Sequence, residues 1–458
     1  MRVFLSLALV VCGTASAQLT PIPPPPTGTP SHPFFITKTW VVGGVGDWDY
    51  LTMDPTARQL FIAHGPSVQV VDVETGTVAG VVRGMRETHF VVLDAQGSYG
   101  YVSDGPADLV RVFDRRTFQI VANIPTGPSP RSMALDPTSG LLFVVGSQTT
   151  PPAASPSTRP PQRTASSLRR ANAPGGDSAP TSPQGGPIST VTVIDVERRV
   201  SLAQIAVSGS LGFAEGDGNG RVYITVSDRN QILKMDAQAI GSAIHRIIDT
   251  QTSARPSTTQ PTQASTQPAV RTQTAPNSRS ASQQLNAAEK GLLLDWTSGT
   301  KIAPPADALP HPLSLDSNCQ RPRALALDTA HERIFAACTN MRMVALDAET
   351  GQTVATLPIG IGADAIGYDA NRGLIFTSNG GNSGSLTIIR QDVTDTYSVV
   401  QILPTRQNAR TLAINPSNGE VYLASVIYGA ILNNPPINGA PLKMSAVDSS
   451  FQVLVIGN

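Results

Sequence analysis

The sequence predicts an all-β chain, a seven-bladed β-propeller of four-stranded antiparallel blades with two long disordered insertions. Three observations carry that expectation. A short pattern recurs seven times with a period near 40 residues, the mark of a repeat architecture. Each copy opens on an apolar run ending in Asp or Asn: Asp54, Asp94, Asp136, Asp217, Asp328, Asp369 and Asn415. Six of these markers have an aromatic seven residues later, namely Phe61, Tyr101, Phe143, Phe335, Phe376 and Tyr422; in the looser fourth copy Tyr223 follows Asp217 by six. Within a copy the period is two, as in Gln59-Leu-Phe-Ile-Ala-His64 and Ser67-Val-Gln-Val-Val-Asp72, so the elements are strands. A lone four-stranded sheet leaves a face uncovered, whereas radial stacking against two neighbours buries both.

Taken in order, Arg2, the apolar run Val3 to Val11 and the small residues Ala15-Ser-Ala17 read as a secretory signal peptide, residues 1–17. The run is too short to span a bilayer, so no transmembrane segment is expected. Residues 18–33 form a Pro-rich spacer. The propeller is expected over 34–458. Turns such as Asp136-Pro-Thr-Ser-Gly140 and Asn415-Pro-Ser-Asn-Gly419 link first to second strands: Pro presets φ, the Asp or Asn side chain caps, and Gly takes the positive φ. The turns Glu74-Thr-Gly76 and Glu349-Thr-Gly351 lead into fourth strands.

Asp136 to Asp217 is 81 residues and Asp217 to Asp328 is 111, excesses of roughly 40 and 70 over the period. They coincide with the low-complexity tracts 148–187 and 250–289, whose Pro, Ser, Thr, Gln and Ala cannot offset chain entropy by apolar burial, so disorder is expected. The first tract enters between a second and a third strand, the second follows a third strand. A lone strand near Phe35 and the terminal Ser450 to Gly457 are expected to complete the last blade together, leaving no edge open there. The segment Leu442 to Asp448 also has the look of a third strand.

Formal net charge is zero and 14% of residues are charged, with no basic stripe, so nothing argues for nucleic-acid binding by phosphate neutralisation and none is expected; a monomer is expected. Removal of the signal leaves two cysteines, Cys319 and Cys338, and an even count in an oxidising compartment suggests a disulfide; two buried free thiols are the alternative. The histidines are scattered and no metal site or cofactor is expected. His64 precedes Gly65-Pro66 and reads as a turn residue. Gly216-Asp-Gly-Asn-Gly220 lacks most of a calcium-loop ligand set and reads as a turn. No nucleophile elbow and no Cys–His pair is present, so no catalytic residue is assigned.

The first strand of each propeller blade lines the central channel. Counting five residues back from the markers gives Asp49, His89, Arg131, Arg323, Asp364 and Arg410, with Leu211 or Gly212 in the looser copy. These six ionisable residues are expected to ring one channel mouth. Several arms converging there would suit a small anion or a carboxylate-bearing peptide, with guanidinium groups holding the anion. A network of mutual ion pairs around a wet channel is the alternative.

Segments such as Ile334-Phe-Ala-Ala-Cys-Thr-Asn340, Val191-Thr-Val-Ile-Asp195 and Thr353-Val-Ala-Thr-Leu-Pro-Ile-Gly360 resemble the repeats of the YVTN-repeat β-propellers, the group of YncE-like bacterial proteins. The resemblance covers roughly 35–458 apart from the insertions. It implies a secreted, periplasmic or surface propeller, and it is specific for fold rather than activity. The expectation is therefore a non-enzymatic binding scaffold for a protein, peptide or surface ligand, exported to the periplasm or beyond. A lactonase-like hydrolase using the ring carboxylates and His89 as acid and base is the alternative.

Overall fold

The computed structural model describes residues 32–44, 46–149, 187–253, 292–295, 310–381, 383–393, 395–430, 444–447 and 449–458. The expected signal peptide, all but the end of the spacer, and most of the two low-complexity tracts lie outside these residues.

Seven antiparallel sheets stand side by side. Their first strands are Trp48–Asp54, Thr88–Leu93, Pro130–Asp136, Leu211–Gly216, Pro322–Asp328, Ala363–Asp369 and Leu412–Ile414. Each touches the next, and the seventh touches the first, so the ring closes around a channel. Blade 1 is representative: Trp48–Asp54, Gln59–His64, Ser67–Asp72 and Val78–Arg83 pair in sequence order.

The markers act as turn caps. Asp54 Oδ1 accepts the amides of Thr56 and Ala57, and Asn415 Oδ1 accepts that of Ser417. The carboxylate of Asp136 accepts Ser139 N and also Gly220 N from the next blade, so one marker ties two blades. In the looser copy Asp217 accepts the amides of Asn219 and Arg221, which makes Gly216 to Gly220 a turn. The seven aromatics that follow the markers are all buried at 2% exposure or less, wedged in the layers between blades.

The seventh blade is assembled from both ends of the sequence. Its strands run in the order Leu412–Ile414, Val421–Ser425, Gln452–Gly457 and Phe35–Val41. Phe35 pairs with Gly457 and Val41 with Gln452. Trp40 stacks on Tyr422 at 5.5 Å, and Gln401 of blade 6 clamps Phe34 by accepting its N–H and donating to its C=O, both at 2.8 Å. Met444–Ala446 is not the third strand; it pairs with Tyr428–Ala430 in a separate hairpin.

Two elements depart from the four-strand pattern. After the third strand of blade 4, Gln231–Asp236, the chain enters the helix Ala237–Ser253, so residues 250–253 are helical where the sequence predicts disorder. Asp236 Oδ1 caps the helix by accepting Ala239 N, and Ala237, Ile240, Ala243 and Ile244 are buried at helical spacing. Gly241 lets the helix approach Leu141, since a Cβ there would lie 3.0 Å from Leu141 Cδ1. Further on, Leu292–Asp295 pairs in parallel with Val200–Ser208, adding a fifth strand to blade 3. Blade 4 is completed by His311–Ser314. Among the described residues no helix is long and apolar enough to cross a membrane.

Candidate functional site: the polar mouth

Local backbone irregularity creates the site. In six blades the register between first and second strands slips near the start of the first strand, as between Trp48 and Leu51, Thr88 and Val91, and Pro130 and Met133. The same occurs in blades 4, 5 and 6. Asp49, His89, Arg131, Gly212, Arg323 and Asp364 fall within these slips, where a bulge frees a residue from the ladder and re-aims its side chain. Side chains from neighbouring strands take up the amides and carbonyls released: Ser103 Oγ accepts Phe90 N and donates to Arg131 O, and Thr225 Oγ1 accepts Phe213 N.

All six residues expected at the mouth line one cavity of about 670 Å³, together with Leu211 and Gly212. Their contacts form two separate clusters. On one side His89 Nδ1 lies 3.0 Å from Asp49 Oδ2, with Arg131 Nη2 3.9 Å from the same oxygen. On the other, Arg323 Nη2 and Nε donate to Asp364 Oδ1 at 2.7 and 3.1 Å. Arg410 donates to Trp48 O at 2.9 Å and lies over the Trp48 ring. His89 is 5% exposed, and a Cβ on Gly105 would sit 2.7 Å from its Nε2, so that nitrogen is packed against the blade 2 backbone.

Two contributors were not legible in the marker spacing. Arg321 lines the cavity from the loop before the first strand of blade 5, and its guanidinium has no partner among the described residues. That loop is cross-linked by the disulfide Cys319–Cys338, whose Cα atoms are 5.3 Å apart and whose side chains are fully buried. Tyr50, four residues before its marker, forms the floor. Burial, with the carboxylates of Asp364 and Asp49 adding to it, pushes its phenol well above the ordinary value, so it stays protonated. Its hydroxyl has no partner among the described residues and is available as a donor.

Four guanidinium groups, Arg131, Arg321, Arg323 and Arg410, thus face two carboxylates, Asp49 and Asp364. Only Arg323 is held to a carboxylate by close hydrogen bonds. Below the mouth, the rings of Tyr50, Phe90 and Phe213 meet at centroid distances of 4.9, 5.3 and 5.8 Å and fill the channel centre. At the same register the other blades carry Ser132, Ala324, Ala365 and Thr411, which make room for the rings. His64 is a different matter. It ends a strand rather than standing in a turn, and it is buried against Phe451 at 4.1 Å with Nδ1 on Gln69 Oε1 and Nε2 on Gly46 O. Among the described residues there is no cluster of three metal-ligating side chains.

No family model and no curated protein matches the chain. Solved structures do. The chain is similar to a structure titled "Crystal Structure of Mitotic Checkpoint Complex", with a TM-score of 0.54 and 11% identity over 96% of this chain and 99% of that one. It is also similar to "Structure of U3-55K", with a TM-score of 0.54 and 8% identity over 93% and 99%. At such identities the likeness establishes the β-propeller fold alone.

Proposed function

We propose that this protein is an exported, non-enzymatic binding scaffold whose polar mouth receives an anionic group, such as the carboxylate of a peptide. The observation that carries this reading is the excess of guanidinium groups over carboxylates at the mouth, with Arg321 unpartnered among the described residues and Arg131 only loosely held. An unpaired guanidinium on a rigid rim is a ready fork for a carboxylate, and the Tyr50 hydroxyl adds a neutral donor below it. A hydrolase reading gains less support. His89 has one nitrogen on Asp49 and the other packed on Gly105, so it orients Asp49 rather than presenting a base to the cavity. Service in a protein assembly is consistent with the complex named for one similar propeller.

The test uses two probes, a short peptide with a free terminal carboxylate and its terminal amide. Calorimetry should show tighter binding of the acid by at least about tenfold, weakening with salt and lost when Arg131 and Arg321 are both replaced by Ala. Equal binding of acid and amide would overturn the reading. Export rests on the charged and apolar pattern of residues 1–17 and on the resemblance to YVTN-repeat propellers. Expression in a secreting bacterial host should yield mature protein beginning at Gln18, read by mass spectrometry; retention of residue 1 in the cytoplasm would argue against it.

A further inference from the structure

A second cavity, of about 590 Å³, lies on the other side of the three-ring plug. It opens through the turns that carry Pro55, Pro137 and Pro416, and so faces away from the polar mouth. Its wall is made from residues one to four places before the markers. Two places before, the seven blades carry Thr52, Val92, Ala134, Glu215, Ala326, Gly367 and Ala413, of which all but Ala326 line the cavity. Six of these are small or apolar. The seventh is an acid.

The side-chain carboxyl of Glu215 has no hydrogen bond and no ion pair among the described residues. Among the described residues no Lys, Arg or His lines the cavity. The two tyrosines in the wall do not serve it: Tyr368 donates to Gln391, and Tyr50 is at the plug. Thr52 donates to Val91 O at 2.6 Å. A carboxyl in apolar surroundings without a partner costs stability, and natural interiors rarely leave one so unless something else completes it. Phe213 is two residues before Glu215 on the same strand and forms part of the cavity floor with Tyr50 and Phe90. An acid beside aromatic faces within an apolar bowl attracts a cation twice, by charge and by the ring quadrupole.

We infer that the cavity opposite the polar mouth binds a small apolar amine in its ammonium form, with Glu215 as the counter-ion, the Tyr50, Phe90 and Phe213 rings beneath the charge, and the aliphatic walls around the hydrocarbon body. The volume falls within the range of small-molecule pockets. The wall offers an ammonium one full charge and offers an alcohol or a carboxylate no cationic partner.

The test compares hexylamine, hexanol and hexanoate binding to the full chain at pH 8, by calorimetry or ligand-observed NMR. Hexylamine should bind at least about tenfold more tightly than hexanol, and hexanoate should not bind. Glu215→Gln should bring hexylamine down to the level of hexanol, while Val92→Phe, which fills the bowl without changing charge, should weaken both. Thermal unfolding of each variant confirms that it is folded. Equal affinity for amine and alcohol in the parent chain, or hexylamine binding unchanged in Glu215→Gln, would overturn the inference. Because the ligand and the face differ from those of the polar mouth, either reading can fail without the other.

Discussion

Asp49 and Glu215 are carboxylates of first strands with opposite surroundings. Asp49 has His89 and Arg131 beside it, whereas the Glu215 carboxyl has no charged or hydrogen-bonding partner among the described residues. Lost hydration pushes Glu215 up from its usual 4.5 to about 7. Although partly open to the cavity, it stands deep in the ring, which is why burial is the dominant cause. The folded chain therefore keeps a proton, between those values, that the unfolded chain releases, and stability declines as pH rises from about 4.5 to about 7 and is level above. Glu215→Gln abolishes that decline. The variant should match the parent near pH 4 and exceed it by about 2 kcal/mol at pH 8, a figure reduced for partial access to solvent and read from urea midpoints. Nothing in the sequence flags this residue, since a single Glu in a strand most often stands on a solvated face; only the ring shows that its side points inward. Arg321 is hidden for a related reason, because it belongs to a connecting loop and carries no fixed offset from a marker.

At the level of the element, the turns were legible because their chemistry is local. Asp72, Asp114 and Asp347 each accept amide and hydroxyl donors from the Thr three residues on, and the Thr backbone N–H holds each carboxyl below its usual range. A depressed folded value means that the contribution is present above the unfolded value near 4 and is lost as pH falls through the lower folded value. Acid should therefore loosen these turns below about pH 4, with Asp72→Ala and Asp347→Ala losing part of that acid sensitivity in thermal unfolding curves. The effect is small per turn, since water screens carboxylates so near the surface. Strand bulges were not legible, because they arise from register between strands rather than from any one segment. Yet they are what turn Asp49, His89, Arg131, Arg323 and Asp364 toward the mouth, so the five-residue offset located the site without revealing its cause. The helix Ala237–Ser253 escaped notice because its apolar spacing begins in the repeat and runs into a polar tract.

For the molecule as a whole, the period near 40 residues predicted the ring because each blade needs two neighbours to bury its faces. The three-ring plug could not be foreseen in the same way: Tyr50, Phe90 and Phe213 are 40 and 123 residues apart, and only closure brings them together. Closure itself depends on Trp40, 8% exposed, stacked on Tyr422 and roofed by Gly76, where any Cβ would collide with the indole. Trp40→Ala should cost about 3 kcal/mol, and hydrogen exchange should accelerate first at the amides of Gln452–Gly457.

Phe35 and Gly457 face each other at the same end of their antiparallel ladder. Tension that draws these two residues apart is therefore borne by one rung at a time, as in a zipper, and never by the whole ladder in shear. A chain tethered at one of these residues and loaded at the other would open its disc at modest force, releasing the N-terminal strand while the other six blades stay intact.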